Sequence, residues 1–188
     1  MSKVFYFDTE TTGLDSRQND IIQLAYLVEI DGEVKEKGNL FMQPFRYDTI
    51  SQEALAINKR TIEEIKKFPE PRVIYVQIKS LLSKYVDRYN KSDKFIPAGY
   101  NVRFDIDFLQ QFFIKNGDKY FGAFFDYHFI DPMPIINCLN YKGSMKLQNA
   151  KLITACEFLG IKIEAHDALS DIEATRECLK KLINDYLK

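Results

Sequence analysis

Two stretches of strand-forming residues, 21–30 and 33–41, are separated only by Asp31-Gly32. That dipeptide suits the positive backbone angles of a two-residue hairpin turn, so the chain is committed early to an antiparallel pair. The run Val4-Phe5-Tyr6-Phe7 precedes it and reads as a short buried strand ending at Asp8, before the break at Thr11-Thr12-Gly13-Leu14-Asp15. Pro44 closes this opening meander. Helical signals follow. Residues 51–57 and 61–67 read as short helices, the second opened by a Thr61-Glu64 capping box. Pro71 starts a longer helix expected to reach about Asn90. Residues 95–100 read as a strand in which Pro97 requires an edge. Residues 104–115 read as a helix stopped by Asn116-Gly117, 128–130 as a last short strand, and 134–140, 149–159 and 168–187 as helices. The expectation is an α/β fold with a mixed sheet of about five strands flanked by helices.

The 188 residues fit one domain, 1–188. No run of apolar residues is long enough to cross a membrane, and the N-terminus lacks a signal-peptide pattern. Cys138, Cys156 and Cys178 are odd in number and show no CxxC spacing. That argues against a disulfide scaffold or zinc ribbon and for a reducing, cytoplasmic setting. The net charge of −1 gives no electrostatic reason of its own to expect nucleic acid.

The placement of acids is more informative. Asp8 and Glu10 lie two apart on a strand, so their side chains share one face about 6.6 Å apart. A solvated strand end would accommodate such a pair; so would a divalent cation, which relieves both repulsion and desolvation. On the helix after Tyr100, taking ~100° per residue from Asp105, Phe108 falls near 300°, Leu109 near 40° and Phe112 near 340°. Asp105 thus sits in the apolar stripe, whereas Asp107 falls near ~200°, on the polar face. A carboxylate in that stripe needs a hydrogen-bond partner or a metal. Asp171 lies in the first turn of the last helix, about 60° off its inner face, where the helix dipole alone would also favour it. His166 precedes that helix, and His128 reads as structural.

Taken together, Phe7-Asp8-Thr9-Glu10-Thr11-Thr12-Gly13-Leu14, Asn101-Val102-Arg103-Phe104-Asp105-Ile106-Asp107-Phe108-Leu109 and His166-Asp167-Ala168-Leu169-Ser170-Asp171 resemble, in order, the three motifs of the DEDDh 3′→5′ exonucleases. Within that family the sequence is similar to the proofreading epsilon subunit of bacterial DNA polymerase III and to RNase T. The branch with Tyr in the third motif would need it at position 167, which is Asp. Glu53-Ala54-Leu55-Ala56-Ile57-Asn58 resembles an epsilon segment whose Glu and His contact the terminal nucleotide, with Asn58 standing in the His position. Tyr100 departs from a common Gly-His-Asn run.

The resemblance implies an RNase H-like fold and removal of 5′-mononucleotides from nucleic-acid 3′ ends, single strands favoured. It implies two Mg²⁺ or Mn²⁺ ions held by Asp8, Glu10, Asp105 and Asp171, and His166 as the base that deprotonates water. Thr11, Leu14, Glu53, Asn58 and Phe104 are the expected substrate contacts, with ordinary core packing the alternative for Leu14 and Phe104. With four of the 27 acids withdrawn to such a site, the 26 basic residues outnumber the remaining acids by three. Lys142, Lys146 and Lys151 could touch the backbone, although a solvated face explains them better. A loose association with a DNA polymerase fits the resemblance, as does a stand-alone enzyme. Two other readings compete: a haloacid-dehalogenase-type phosphatase with Asp8 as nucleophile, and a non-catalytic module that binds nucleic-acid ends or a partner.

Overall fold

The computed structural model describes residues 2–164 and 167–187. Four strands, β1 (Lys3–Thr11), β2 (Ile21–Ile30), β3 (Glu33–Phe41) and β4 (Ile96–Ala98), form one mixed sheet in the order β3-β2-β1-β4. The helices are α1 (Gln52–Asn58), α2 (Ile62–Ile65), α3 (Pro71–Tyr85), α4 (Arg103–Lys115), α5 (Pro132–Lys142), α6 (Leu152–Leu159) and α7 (Ala168–Tyr186). The β2–β3 hairpin turns at Asp31 (φ 50°) and Gly32 (φ 83°), the paired positive angles that Asp-Gly supplies. The expected capping box opens α2, with Thr61 and Glu64 satisfying each other's backbone N–H.

Side-chain alternation along β1 divides the core. Phe5 and Phe7 face α3 and α4, packing with Ile78, Leu82, Phe108, Leu109 and Phe112. Val4 and Tyr6 face the other way, onto Ala168, Ile172 and Leu179 of α7. Both faces of the sheet are thereby covered. A third small cluster, Ile22 with Leu55 and Ile65, anchors α1 and α2 over the end of β2.

The sheet has four strands among the described residues, not about five. The segment expected as the fifth lies where a strand would, outside β4, but makes only isolated bridges, Phe95 to Phe125 and Ala98 to Ile130. Phe95 donates to the Phe124 carbonyl and Gly99 to the Ile130 carbonyl. Between those bonds β4 advances four residues and its neighbour six, so two residues have no place in a ladder. The donor that would hold the middle is missing because it belongs to Pro97. The surplus falls between Asp126, whose N–H donates to the Phe95 carbonyl, and Ile130, whose N–H donates to the Pro97 carbonyl; within it the Asp126 carboxylate accepts from the His128 N–H at 2.9 Å and pairs with its ring at 2.8 Å. Pro97 sits on an edge strand, as its chemistry requires.

Helix α3 stops at Tyr85, short of Asn90. Asp87 and Asn90 accept hydrogen bonds from the N–H groups of Tyr89 and Ser92, local turns that compete with helix. Helix α5 begins two residues earlier than expected because Asp131 caps it.

Candidate active site

The last residues of β1 project beyond β4. The parallel register runs only from Val4–Ile96 to Tyr6–Ala98, after which Asn101 (φ 57°) turns the chain into α4. Gly99 is held against the strand: a Cβ there would lie 2.7 Å from the Phe7 carbonyl oxygen. On the edge that β4 leaves uncovered, Thr9 N–H donates to Asp105 Oδ1 at 2.9 Å, and Thr9 Oγ1 donates to the same oxygen at 2.6 Å. Asp105 is buried and Asp107 is on the outer face, paired with Arg103 at 3.0 Å. The helical phase read from the sequence therefore holds.

Asp8 and Glu10 lie on the α7 face of β1, while Asp105 arrives from the α4 face through Thr9. A register shift between Glu10 and Thr11 kinks the ladder at this point, as bulges beside functional sites commonly do. Loss of hydration pushes the Asp8 carboxyl well above its ordinary range, and the neighbouring charges of Asp105, Glu10 and Asp171 push it further. Burial raises Asp105 to about 7, opposed by the bonds from Thr9 and reinforced by Glu10. Asp171, in the first turn of α7, is partly buried. The structure thus brings all four acids into one electrostatic neighbourhood. Among the described residues, no group of three or more His, Cys, Asp or Glu side chains is already arranged to hold a metal ion. The four are neighbours but not yet a coordination shell, although their all-oxygen donor set suits a hard divalent cation. His166 lies outside the described residues. Asp167, next to it, caps α7 by accepting from Ser170 N–H at 2.8 Å.

Beside Glu10 opens a cleft of about 610 Å³, and Thr11, Leu14, Glu53, Asn58 and Phe104 all line it. Their individual situations differ. Leu14 is 87% exposed, too open for core packing. Phe104 rests on Phe108 with ring centroids 4.7 Å apart. Thr11 is buried and donates to the Gly13 carbonyl at 2.7 Å, which shapes the turn rather than presenting a hydroxyl. Asn58 Nδ2 donates to the Thr11 carbonyl at 2.9 Å, tying α1 to the end of β1. Glu53 is exposed; a bond from Ser51 Oγ lowers its pKa and keeps it ionised. The backbone at Gly13 passes close to Asn19: a Cβ there would lie 2.4 Å from that side chain, whose amide would have to shift. Lys142, Lys146 and Lys151 are exposed and do not line the cleft.

Three contributors escape a motif reading. Thr9, between the paired acids, positions Asp105; its signal is strand alternation, which turns it toward the face of Phe7. Gln23 is buried directly across from Glu10 on β2. Asp131 accepts from the N–H groups of Asn101 (3.1 Å), Val102 (3.2 Å) and Met133 (2.9 Å), so one carboxylate fixes the start of both α4 and α5. The Asp-Pro pair at 131–132 is a helix-start signal.

Comparison with known proteins agrees with this geometry. Residues 5–179 match the RNase T model, described as an exonuclease family. Among relatives, the chain is 26% identical over 187 residues to the PolC-type DNA polymerase III of Halalkalibacterium halodurans and 28% identical over 180 residues to that of Oceanobacillus iheyensis. These alignments cover 98% and 94% of this chain but only 12% and 11% of those relatives. Among solved structures, E. coli exonuclease I in complex with a dT13 oligonucleotide superposes with a TM-score of 0.79 at 20% identity, over 98% of this chain and 41% of that one. The shared architecture is RNase H-like, and the phosphatase reading loses its basis. From these matches and the fold, the chain belongs to the RNase T family of exonucleases.

Proposed function

We propose that this nuclease is a DEDDh enzyme, a divalent-metal-dependent 3′→5′ exonuclease that cuts the terminal phosphodiester and releases 5′-mononucleotides. The observation that carries the reading is the convergence of Asp8, Glu10, Asp105 and Asp171 from both faces of the sheet onto the end of β1, beside the cleft. Asp8, Glu10, Asp105 and Asp171 would hold two Mg²⁺ or Mn²⁺ ions. Such cations, when bound, activate water and stabilise the leaving oxygen. Thr9 holds Asp105 in register with Asp8 and Glu10. His166 accepts the proton of the attacking water, a task suited to a group titrating near neutrality. Leu14 and Phe104 offer apolar surface to the terminal bases. Ionised Glu53 can accept a hydrogen bond from a free 3′-hydroxyl. Asn58 acts through the Thr11 carbonyl to fix the cleft wall, and Thr11 through the turn at Gly13.

The substrate is a single-stranded 3′ end; the oligonucleotide complexes of exonuclease I support that choice. The likeness to a segment of PolC-type polymerases supports work on ends made by a DNA polymerase, in loose association with it. We place the enzyme in the cytoplasm as a single domain, 1–188; among the described residues no helix is long and apolar enough to cross a membrane.

Digestion of end-labelled single-stranded and duplex DNA and RNA with Mg²⁺ or Mn²⁺ tests the reading. A 3′ label should appear at once as mononucleotide, and a circular strand should survive. Rapid cutting of the circle, or release starting at the 5′ label, overturns it.

A further inference from the structure

A second groove, of about 570 Å³, lies between α3 and the C-terminal end of α4. Arg72, Tyr75, Lys79, Arg88, Asn116 and Tyr120 are among its walls. Its acid, Asp118, is already committed: Tyr75 Oη donates to it at 2.5 Å and Lys79 Nζ at 2.8 Å. Arg72 spends one N–H on the Asn116 carbonyl at 2.8 Å. Among the described residues neither Arg72 nor Arg88 forms a salt bridge, so two guanidinium charges are left over. Each lies against an aromatic ring, Arg72 5.1 Å from Tyr75 and Arg88 5.2 Å from Tyr89. Tyr120 and Tyr89 are 66% and 83% exposed. Guanidinium forks match phosphate oxygens, and exposed rings offer stacking surface to bases of any sequence.

The groove and the candidate catalytic cleft are tied together through Lys115. Lys115, the residue before Asn116, donates to the carbonyls of Asn19 (2.6 Å) and Ser16 (3.2 Å) and to Asp20 (2.7 Å). Asn19 itself lines the cleft. From Asp105 to Asn116 the helix covers about 16 Å at ~1.5 Å per residue. We propose that this groove grips the phosphate backbone upstream of the 3′ end, beyond the nucleotides held in the cleft. The inference rests on the nuclease reading of the cleft and adds to it a place for the incoming strand. Guanidinium groups outside any ion pair, set beside exposed rings, favour a nucleic-acid strand over an acidic peptide, which offers charge but nothing to stack.

The test compares wild type, the double variant Arg72→Ala/Arg88→Ala and Tyr120→Ala in EDTA, using fluorescence anisotropy. The probes are labelled single strands of 2 and 20 nucleotides with the same 3′ end, and a poly-glutamate peptide. The double variant should bind the 20-mer at least about tenfold more weakly, and its salt slope should fall by about 1.4, at ~0.7 per lost phosphate contact on a single strand. Tyr120→Ala should weaken the 20-mer about fivefold. Binding of the 2-mer should not change. Unchanged 20-mer binding, equal loss on both lengths, or an equal loss for poly-glutamate overturns the proposal. Digestion with Mg²⁺ or Mn²⁺ separates the two readings. If no strand is digested but 20-mer binding depends on both arginines, the groove stands and the cleft reading falls. If strands are digested from the 3′ end while binding ignores the arginines, the groove falls alone.

Discussion

Asp105 should make the metal-free protein less stable as pH rises, and its surroundings set both the sign and the size. Burial outweighs the hydrogen bonds from Thr9 and, with Glu10 beside it, holds the carboxyl up at about 7 against an ordinary 3.8. Across that interval the folded chain keeps a proton that the unfolded chain has released. The Asp105 contribution to stability is therefore complete below pH 4 and is lost as pH climbs toward 7, following the difference in bound protons. At about 1.4 kcal/mol per pH unit, the interval amounts to about 4 kcal/mol. For a chain of this length each kcal/mol moves the melting temperature by about 2–4 °C, hence a shift of about 10 °C. Asp105→Asn keeps an oxygen to accept from Thr9 but has nothing to titrate. In EDTA the variant should melt near wild type at pH 4.5 and about 10 °C above it at pH 7.5. Asp118 does not confuse the reading. Burial would raise its pKa, but the bonds from Lys79, Tyr75 and the Tyr120 N–H hold it down at about 2. Its contribution is lost only as pH falls below about 4, outside the measured window. Parallel melting profiles for the two proteins, or a variant that melts below wild type at pH 7.5, would refute the reasoning.

Asp105→Asn should nearly eliminate turnover at saturating Mn²⁺, whereas Asp107→Asn, whose side chain faces solvent beside Arg103, should stay within a few-fold; a side-by-side assay checks both. Gly99→Ala should cost about 1–3 kcal/mol in denaturant unfolding, because the new methyl would press on the Phe7 carbonyl. Asp131→Ala should cost about 2–4 kcal/mol by stripping partners from three backbone N–H groups. Asp131→Asn, which keeps one acceptor oxygen, should restore part of that loss in the same unfolding experiment.

The elements that carry the site were legible because each had a local cause. The Asp31-Gly32 turn, the capping box at Thr61 and the apolar stripe of α4 are satisfied within a few residues of themselves, so pattern alone located them. The stripe also separated Asp105 from Asp107, which a motif alone would not. What escaped the sequence depends on contacts between distant segments. The fifth strand failed because two segments of unequal length meet across Pro97, a mismatch invisible from either segment alone. Thr9 and Asp131 escaped because their bonds reach across 96 and about 30 residues. The five residues expected to touch substrate all line one cleft, but Thr11 and Asn58 spend hydrogen bonds on backbone carbonyls.

Unequal strand length is also what admits the third acid. Strand β1 has nine residues and β4 has three, so the parallel ladder ends at Tyr6 and leaves later donors of β1 without a strand partner on that side. A buried N–H left unpaired is costly, and Thr9 N–H is satisfied by the Asp105 carboxylate instead of a carbonyl. Had β4 continued by a few residues, a backbone oxygen would have taken that donor and the α4 carboxylate would have been shut out. The early turn at Gly99 to Asn101, clamped by Asp131, therefore does two things at once. It ends the strand, and it starts a helix whose first turn delivers a carboxylate to the vacated edge. Asp8 and Glu10 come from the opposite face of β1, and α7 covers that same face with Asp171. The projecting end of one strand is where acids from both helical layers can approach one another without crossing the sheet.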